Sequence, residues 1–203
     1  MLRSIRTLLT AAGVLLAVSV VTARAADAPA IPGFRGEVIA NMQEASDKII
    51  ELSGAMPTGK WTWRPGKGVR SVGEVYMHIA SSNYSLCSIL GATSPISAEE
   101  LKQLDKAPPN PVKMAQMLRD SYAFAAQTIS AMSDSDLDAQ VTFFGRQVTK
   151  RAMLLSMASH SHEHLGQAIA YARVNGVVPP WTAREQAAAK AKAAEDKAKG
   201  QSR

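Results

Sequence analysis

The four histidines of this 203-residue chain fall in two places: His78 stands alone, and His160, His162 and His164 form a run. Neutral imidazole is a common metal ligand near pH 7, so the spacing of these residues is the first question. On a helix, His160 and His164 lie on one face, one turn apart. His162 points about 200° away from His160 and is expected at the surface. Two imidazoles four residues apart can reach one metal ion, as in the HExxH zinc helix. Glu163 does not stand where that motif carries its general base, so a zinc protease is not implied. A third ligand must come from another element, and His78 is the histidine left to supply it. Three neutral imidazoles would leave coordination positions open, which suits a catalytic ion better than a closed structural one. Spacing alone also admits a blander reading, in which His160 and His164 are satisfied by hydrogen bonds and the HxHxH run binds metal adventitiously.

The neighbours of these histidines on the same helical faces are the next candidates. Glu74 and Ser82 flank His78 by one turn on either side. Gln167 and Tyr171 continue the face of His160 and His164. Metal-bound imidazoles need a partner for their second nitrogen. Glu74, Gln167 and Tyr171 are therefore candidates for orienting groups or moving protons. Glu74 has a competing role, because Ser71-Val72-Gly73-Glu74 is a capping-box pattern. Cys87 lies about half a turn round the helix from His78 and faces away from the site, so it reads as a packed thiol. It is the only cysteine, which excludes an intramolecular disulfide and a CxxC site. Met114, Met117 and Met132 read as core filler.

The elements that must carry these residues are helices. Phe34, Val38, Met42, Ala45, Ile49 and Leu52 recur at three- and four-residue intervals, the pattern of one buried face, and Gly54, Pro57 and Gly59 end that helix. Trp61 and Trp63 follow in a polar connection and are expected to pack over the end of a bundle. The second helix runs from Ser71 to about Leu90, with Gly91 to stop it. Ser97 to Asp105 adds a short helical turn or two before Pro108-Pro109 breaks the chain. Asn110-Pro111 then supplies a cap and first residue for a third long helix. Val141, Phe143 and Phe144 before Gly145 suggest a hairpin or extended crossing between Asp138 and Gln147. The last long helix starts near Thr149 and stops at Asn175-Gly176. The expected fold class is all-α, a four-helix bundle, whose metal sites are built from side chains facing one another across the core.

The chain ends divide from this body by composition. Arg3 and Arg6 precede an apolar stretch from Leu8 to Val21, and Ala23-Arg24-Ala25 is a small-x-small cleavage pattern. A signal peptide over 1–25, cut after Ala25, is the expectation, with a periplasmic or secreted mature protein. The apolar run is short of the roughly 20 residues that span a bilayer, so no stable membrane span is expected. The formal charge of +6 comes from the ends, since residues 26–183 hold equal numbers of basic and acidic side chains. No basic patch with interleaved aromatics is present, which argues against nucleic acid as a partner. Residues 182–203 are Ala/Lys-rich without apolar periodicity and read as a frayed helix or a flexible tail.

The run His160-Ser161-His162-Glu163-His164-Leu165-Gly166-Gln167, followed by Tyr171-Ala172-Arg173 and Asn175-Gly176-Val177-Val178-Pro179-Pro180, resembles the final helix of DinB-like proteins. Arg70-Ser71-Val72-Gly73-Glu74 leading to His78 is similar to their second helix, and the likeness extends from Ile31 to Trp181. The resemblance implies a four-helix bundle with a three-histidine site for a divalent metal ion, zinc or nickel. Its ligands would be His78, His160 and His164. Related branches include thiol-dependent transferases and an isomerase, and related bundles often pair, so a homodimer is implied as well. With the open metal site, the expectation is a metal-dependent hydrolase or transferase acting on a small-molecule substrate. The leader departs from the thiol-transferring relatives, which act inside cells. The alternative is a non-catalytic metal-binding or interaction module of the periplasm.

Overall fold

The structure is a computed structural model that describes residues 31–106 and 110–201. The leader with its cleavage site and the Pro108-Pro109 break fall outside these residues. Four long helices carry the fold: α1 (Gly33–Ala55), α2 (Val72–Ile89), α4 (Pro111–Ser130) and α5 (Lys150–Val174). A short α3 (Ala98–Lys106) lies between α2 and α4. An antiparallel hairpin, β1 (Gln140–Phe143) and β2 (Arg146–Thr149), precedes α5, and α6 (Pro180–Gln201) follows it. No helix among the described residues is long and apolar enough to cross a membrane.

Local chemistry sets the ends of these helices. Ser71 Oγ accepts from the Glu74 amide while the Glu74 carboxylate accepts from the Ser71 amide at 2.7 Å, so the capping box at the start of α2 is complete. Asn110 Oδ1 caps α4 through the Lys113 amide at 3.1 Å, with Pro111 at the first helical position. Thr149 caps α5 in the same way. At the far end of α5, Gly176 takes a left-handed φ of 76°. Val177 N–H then reaches the Ala172 carbonyl and Gly176 N–H the Arg173 carbonyl, which closes the helix in a Schellman turn.

Helices α1 and α2 each pack against both α4 and α5, so the cyclic order round the bundle is α1–α4–α2–α5. Consecutive helices α1 and α2 thus stand diagonally opposite, and α2 comes to lie beside α5. The core between them holds Met42, Ile49 and Leu52 from α1, Tyr76, Met77 and Ile79 from α2, Met114, Leu118 and Ile129 from α4, and Met153, Leu154 and Met157 from α5, all buried. The methionines pack as the sequence reading expects. A buried hydrogen bond from Asn83 Nδ2 to Ser121 Oγ, 3.1 Å, crosses from α2 to α4 and pins their register.

The connection between α1 and α2 folds over one end of the bundle. Trp61 is buried against Tyr76 and donates its indole N–H to the Met56 carbonyl. Trp63 meets Tyr171 edge-on at 5.3 Å. Residues 180–201 continue as helix despite the lack of an apolar stripe, and Arg184 near their start pairs with Glu51 of α1.

Candidate metal centre

Because α2 and α5 are neighbours, their histidines meet. His78 Nε2 and His160 Nε2 stand 3.2 Å apart although the residues are 82 positions apart in the chain. The ring of His164 completes the group, 4.7 Å from His78 and 4.4 Å from His160 between centroids. One nitrogen from each of the three lies within 4.8 Å of the others. Nitrogens at about 2.0–2.1 Å round a tetrahedral ion are roughly 3.4 Å apart, so small ring rotations would bring the set into coordination. His162 turns from this group, as helical phase requires. It is half-buried instead of on the surface, because α1 packs there and its Nε2 lies 3.2 Å from the Asn41 carbonyl oxygen.

The tautomer of His164 follows from a chain of hydrogen bonds. The Arg70 carbonyl can only accept, so the Tyr171 hydroxyl donates to it at 3.2 Å. That hydroxyl accepts from Gln167 Nε2 at 3.1 Å, which turns Gln167 Oε1 toward His164 Nδ1 at 2.8 Å. His164 Nδ1 must then carry the proton, and its Nε2 presents a lone pair to the other two rings. This is the partner that a ligating imidazole requires for its second nitrogen. Gln167 and Tyr171 thus stand in one hydrogen-bonded chain with the His164 ring. Glu74 is placed elsewhere: its carboxylate closes the capping box and pairs with Arg64 at 2.8 Å.

Burial and charge keep the rings of His78 and His160 neutral. Burial holds the imidazolium of His78 down to a pKa of about 3, helped by the charge of Arg70 and by the neighbouring histidines. His160 is pushed down to about 4, again chiefly by burial and then by His164. His78 and His160 are thus neutral at any physiological pH, and each keeps one unprotonated ring nitrogen able to ligate. Clustered imidazole donors of this kind fit a divalent transition-metal ion.

The group opens on one side into a cavity of about 790 Å3 bordered by α2, α3, α5 and the hairpin. Ser81, Ser82 and Ser85 from α2 and Ser156 and Ser159 from α5 form a polar wall. Leu86, Ile89, Leu155, Phe143 and Phe144 form an apolar one. Arg70, Asp105 and Glu163 supply charge. The Ser81 hydroxyl lies within reach of both the His78 carbonyl and Asp105 Oδ1, at 3.2 and 3.4 Å. Of these residues the sequence reading singled out Ser82 alone for a place near the histidines. The i+4 spacing of Ser81 with Ser85, and of Ser82 with His78, was the available trace of the polar wall. Cys87 takes no part; it is fully buried, and burial raises its thiol to about 11.

The hairpin tip carries the one left-handed residue other than glycine among the described residues. Phe144 has φ 47° and is 90 % exposed, beside Gly145 at φ 75°. A two-residue turn of this type is normally Asn-Gly or Asp-Gly.

Residues 41–168 match the sequence pattern of the DinB superfamily. The chain belongs to the DinB superfamily. Solved structures agree on the DinB fold. A DinB-like protein of Bacillus cereus superposes with a TM-score of 0.63 at 19 % identity, over 72 % of this chain and 95 % of that one. A protein of Exiguobacterium sibiricum assigned to the DinB family gives 0.58 at 23 % identity, over 72 % and 94 %. YfiT of Bacillus subtilis, described as a probable metal-dependent hydrolase with an unusual four-helix bundle topology, gives 0.56 at 17 % identity, over 71 % and 89 %. No curated protein matches the sequence.

Proposed function

We propose that this DinB-superfamily protein is an exported hydrolase that holds a divalent ion, zinc or nickel, on His78, His160 and His164. The observation that carries the reading is the convergence of the three imidazoles beside an open cavity, with His164 locked in the tautomer that points Nε2 inward. YfiT, described as a probable metal-dependent hydrolase, supports it as a relative of the same fold.

An ion held there would supply Lewis acidity toward a carbonyl or phosphoryl oxygen and make hydroxide available near neutral pH. The protein's own groups do the rest. His78 and His160 stay neutral and available as ligands. Gln167 and Tyr171 keep His164 from rotating. Glu163 borders the cavity on the same helix as His160 and is a carboxylate available to take a proton from an attacking water. The serine wall offers hydroxyls to orient a polar substrate group. The leader expected over residues 1–25 supports placing this chemistry outside the cytoplasm.

Metal content by plasma mass spectrometry, on protein purified without a nickel column, is the first test. The expected result is near-stoichiometric zinc or nickel, lost in His164→Ala, with turnover of an ester or amide substrate that depends on the ion; turnover of a thiol-conjugation substrate instead would overturn the hydrolase in favour of a transferase. Metal-free protein that fails to take up added zinc or nickel would overturn the site. Stoichiometric metal with no turnover across the three substrate classes would overturn the enzyme and leave a metal-binding module. For export, N-terminal sequencing of protein recovered from the periplasm should begin at Ala26; an intact Met1 in the cytoplasm would overturn it.

A further inference from the structure

The cavity beside the histidines has a polarity of its own, and from it we infer the substrate class: an organic anion with an apolar body, its charge held by Arg70 and its body covered by Phe144. The inference rests on the proposed hydrolase only for the word substrate; the binding preference stands on the cavity itself.

Arg70 borders the cavity together with His78 and His160, and its guanidinium makes no hydrogen bond or ion pair with any described residue. Its backbone is not free to drift. The carbonyl accepts from Tyr171, and the next residue, Ser71, begins α2 with a complete capping box. A fixed backbone with an unpartnered guanidinium at a cavity wall is a site for bidentate capture of a carboxylate or phosphoryl group. The two acids on the same cavity are placed differently. Asp105 sits at the end of α3 against Ser81, and Glu163 sits on α5.

Phe144 supplies the second, independent observation. It holds a left-handed backbone that a phenylalanine adopts at a cost, and its ring is 90 % exposed at the rim of the cavity. Its ring meets Phe143 at 4.4 Å, so the two extend the apolar wall outward. Neither the strain nor the exposure is repaid within the fold. Asparagine would relieve both, and it would form the favoured Asn-Gly turn. Strain kept at a cavity mouth points to a contact made when the cavity is filled.

The test is a calorimetric titration with three probes of one shape: 4-phenylbutyrate, 4-phenylbutanol and 4-phenylbutylamine. Each is added to the metal-free and the zinc-loaded protein, to Arg70→Gln, Arg70→Lys and Phe144→Asn. In the metal-free wild type the carboxylate should bind about tenfold more tightly than the alcohol, with the amine weakest, the size expected of one charge-assisted pair. Arg70→Gln should erase that preference and Arg70→Lys keep part of it, both with unchanged melting temperature. Phe144→Asn should weaken carboxylate and alcohol alike by several-fold while raising the melting temperature, a combination that a merely structural residue does not give. Alcohol or amine binding as tight as carboxylate, or a preference that survives Arg70→Gln, would overturn the anion. Unchanged binding in Phe144→Asn, or a lower melting temperature, would overturn the cover. Because the metal-free titration reads the preference directly, absence of metal from the wild type would sink the hydrolase and leave this result standing.

Discussion

A single carbonyl oxygen, that of Arg70, settles which nitrogen of His164 faces the other two histidines, through Tyr171 and Gln167. Replacing Gln167 by leucine keeps the volume but removes both hydrogen bonds. Zinc affinity should then fall by about 10–100-fold, the usual cost of losing such a partner, with little change in melting temperature of the metal-free protein. Competition with a chromophoric chelator measures it; affinity within a factor of two of wild type would show that packing alone orients the ring. The other two rings make a pH prediction. In the folded metal-free protein His78 and His160 stay neutral down to about pH 3 and 4, whereas in the unfolded chain both protonate near 6.5. Between these values the unfolded state binds the extra protons, so stability is full above about pH 6.5 and declines as pH falls toward 4. Thermal melts from pH 7.5 to 4.5 should show this decline, and it should be shallower in His160→Ala. The triad itself was legible in the sequence because helical phase selects His160 and His164 and discards His162. Gln167 and Tyr171 fell to the same phase argument. Arg70 and Glu163 did not, since their roles exist only once α2, α5 and the hairpin enclose a cavity.

At the level of elements, caps and apolar periodicity made α1, α2, α4 and α5 readable within a few residues, and the hairpin was readable from Phe143-Phe144-Gly145. The cyclic order of the helices was not readable, because apolar faces say what is buried and not which neighbour buries it. Nor was α6, whose Ala/Lys composition favours helix but offers no stripe to pack. The cap at Ser71 has a double duty, as it starts α2 and holds the carboxylate that Arg64 grips. Ser71→Ala should cost about 0.5–2 kcal/mol by denaturant titration. The hairpin turn runs the other way. Phe144→Asn should stabilise by about 1 kcal/mol, or about 2–4 °C in melting temperature, by placing a residue that tolerates the left-handed region. In α2, buried Cys87 with its raised pKa should resist a thiol reagent at pH 8 in the native protein and react on unfolding; rapid labelling of the folded protein would contradict its placement.

For the molecule as a whole, an ion bound to the folded bundle and not to the unfolded chain must stabilise it. At free zinc 100 times the dissociation constant the gain is about 2.7 kcal/mol, so chelation should lower the melting temperature and readdition restore it. A melt indifferent to chelator would speak against the site. The order α1–α4–α2–α5 has a consequence for when that stabilisation begins. His78 waits on a partner 82 residues downstream, and every ligand pair that includes it is closed by the last helix of the bundle. A half-made chain, or one threaded unfolded through a membrane, has no three-histidine site, because His78 has yet to meet His160 and His164. The place where synthesis or translocation ends, and not the cytoplasm where it starts, would then choose the ion. For an exported chain the metal would be a record of the compartment in which it finished folding.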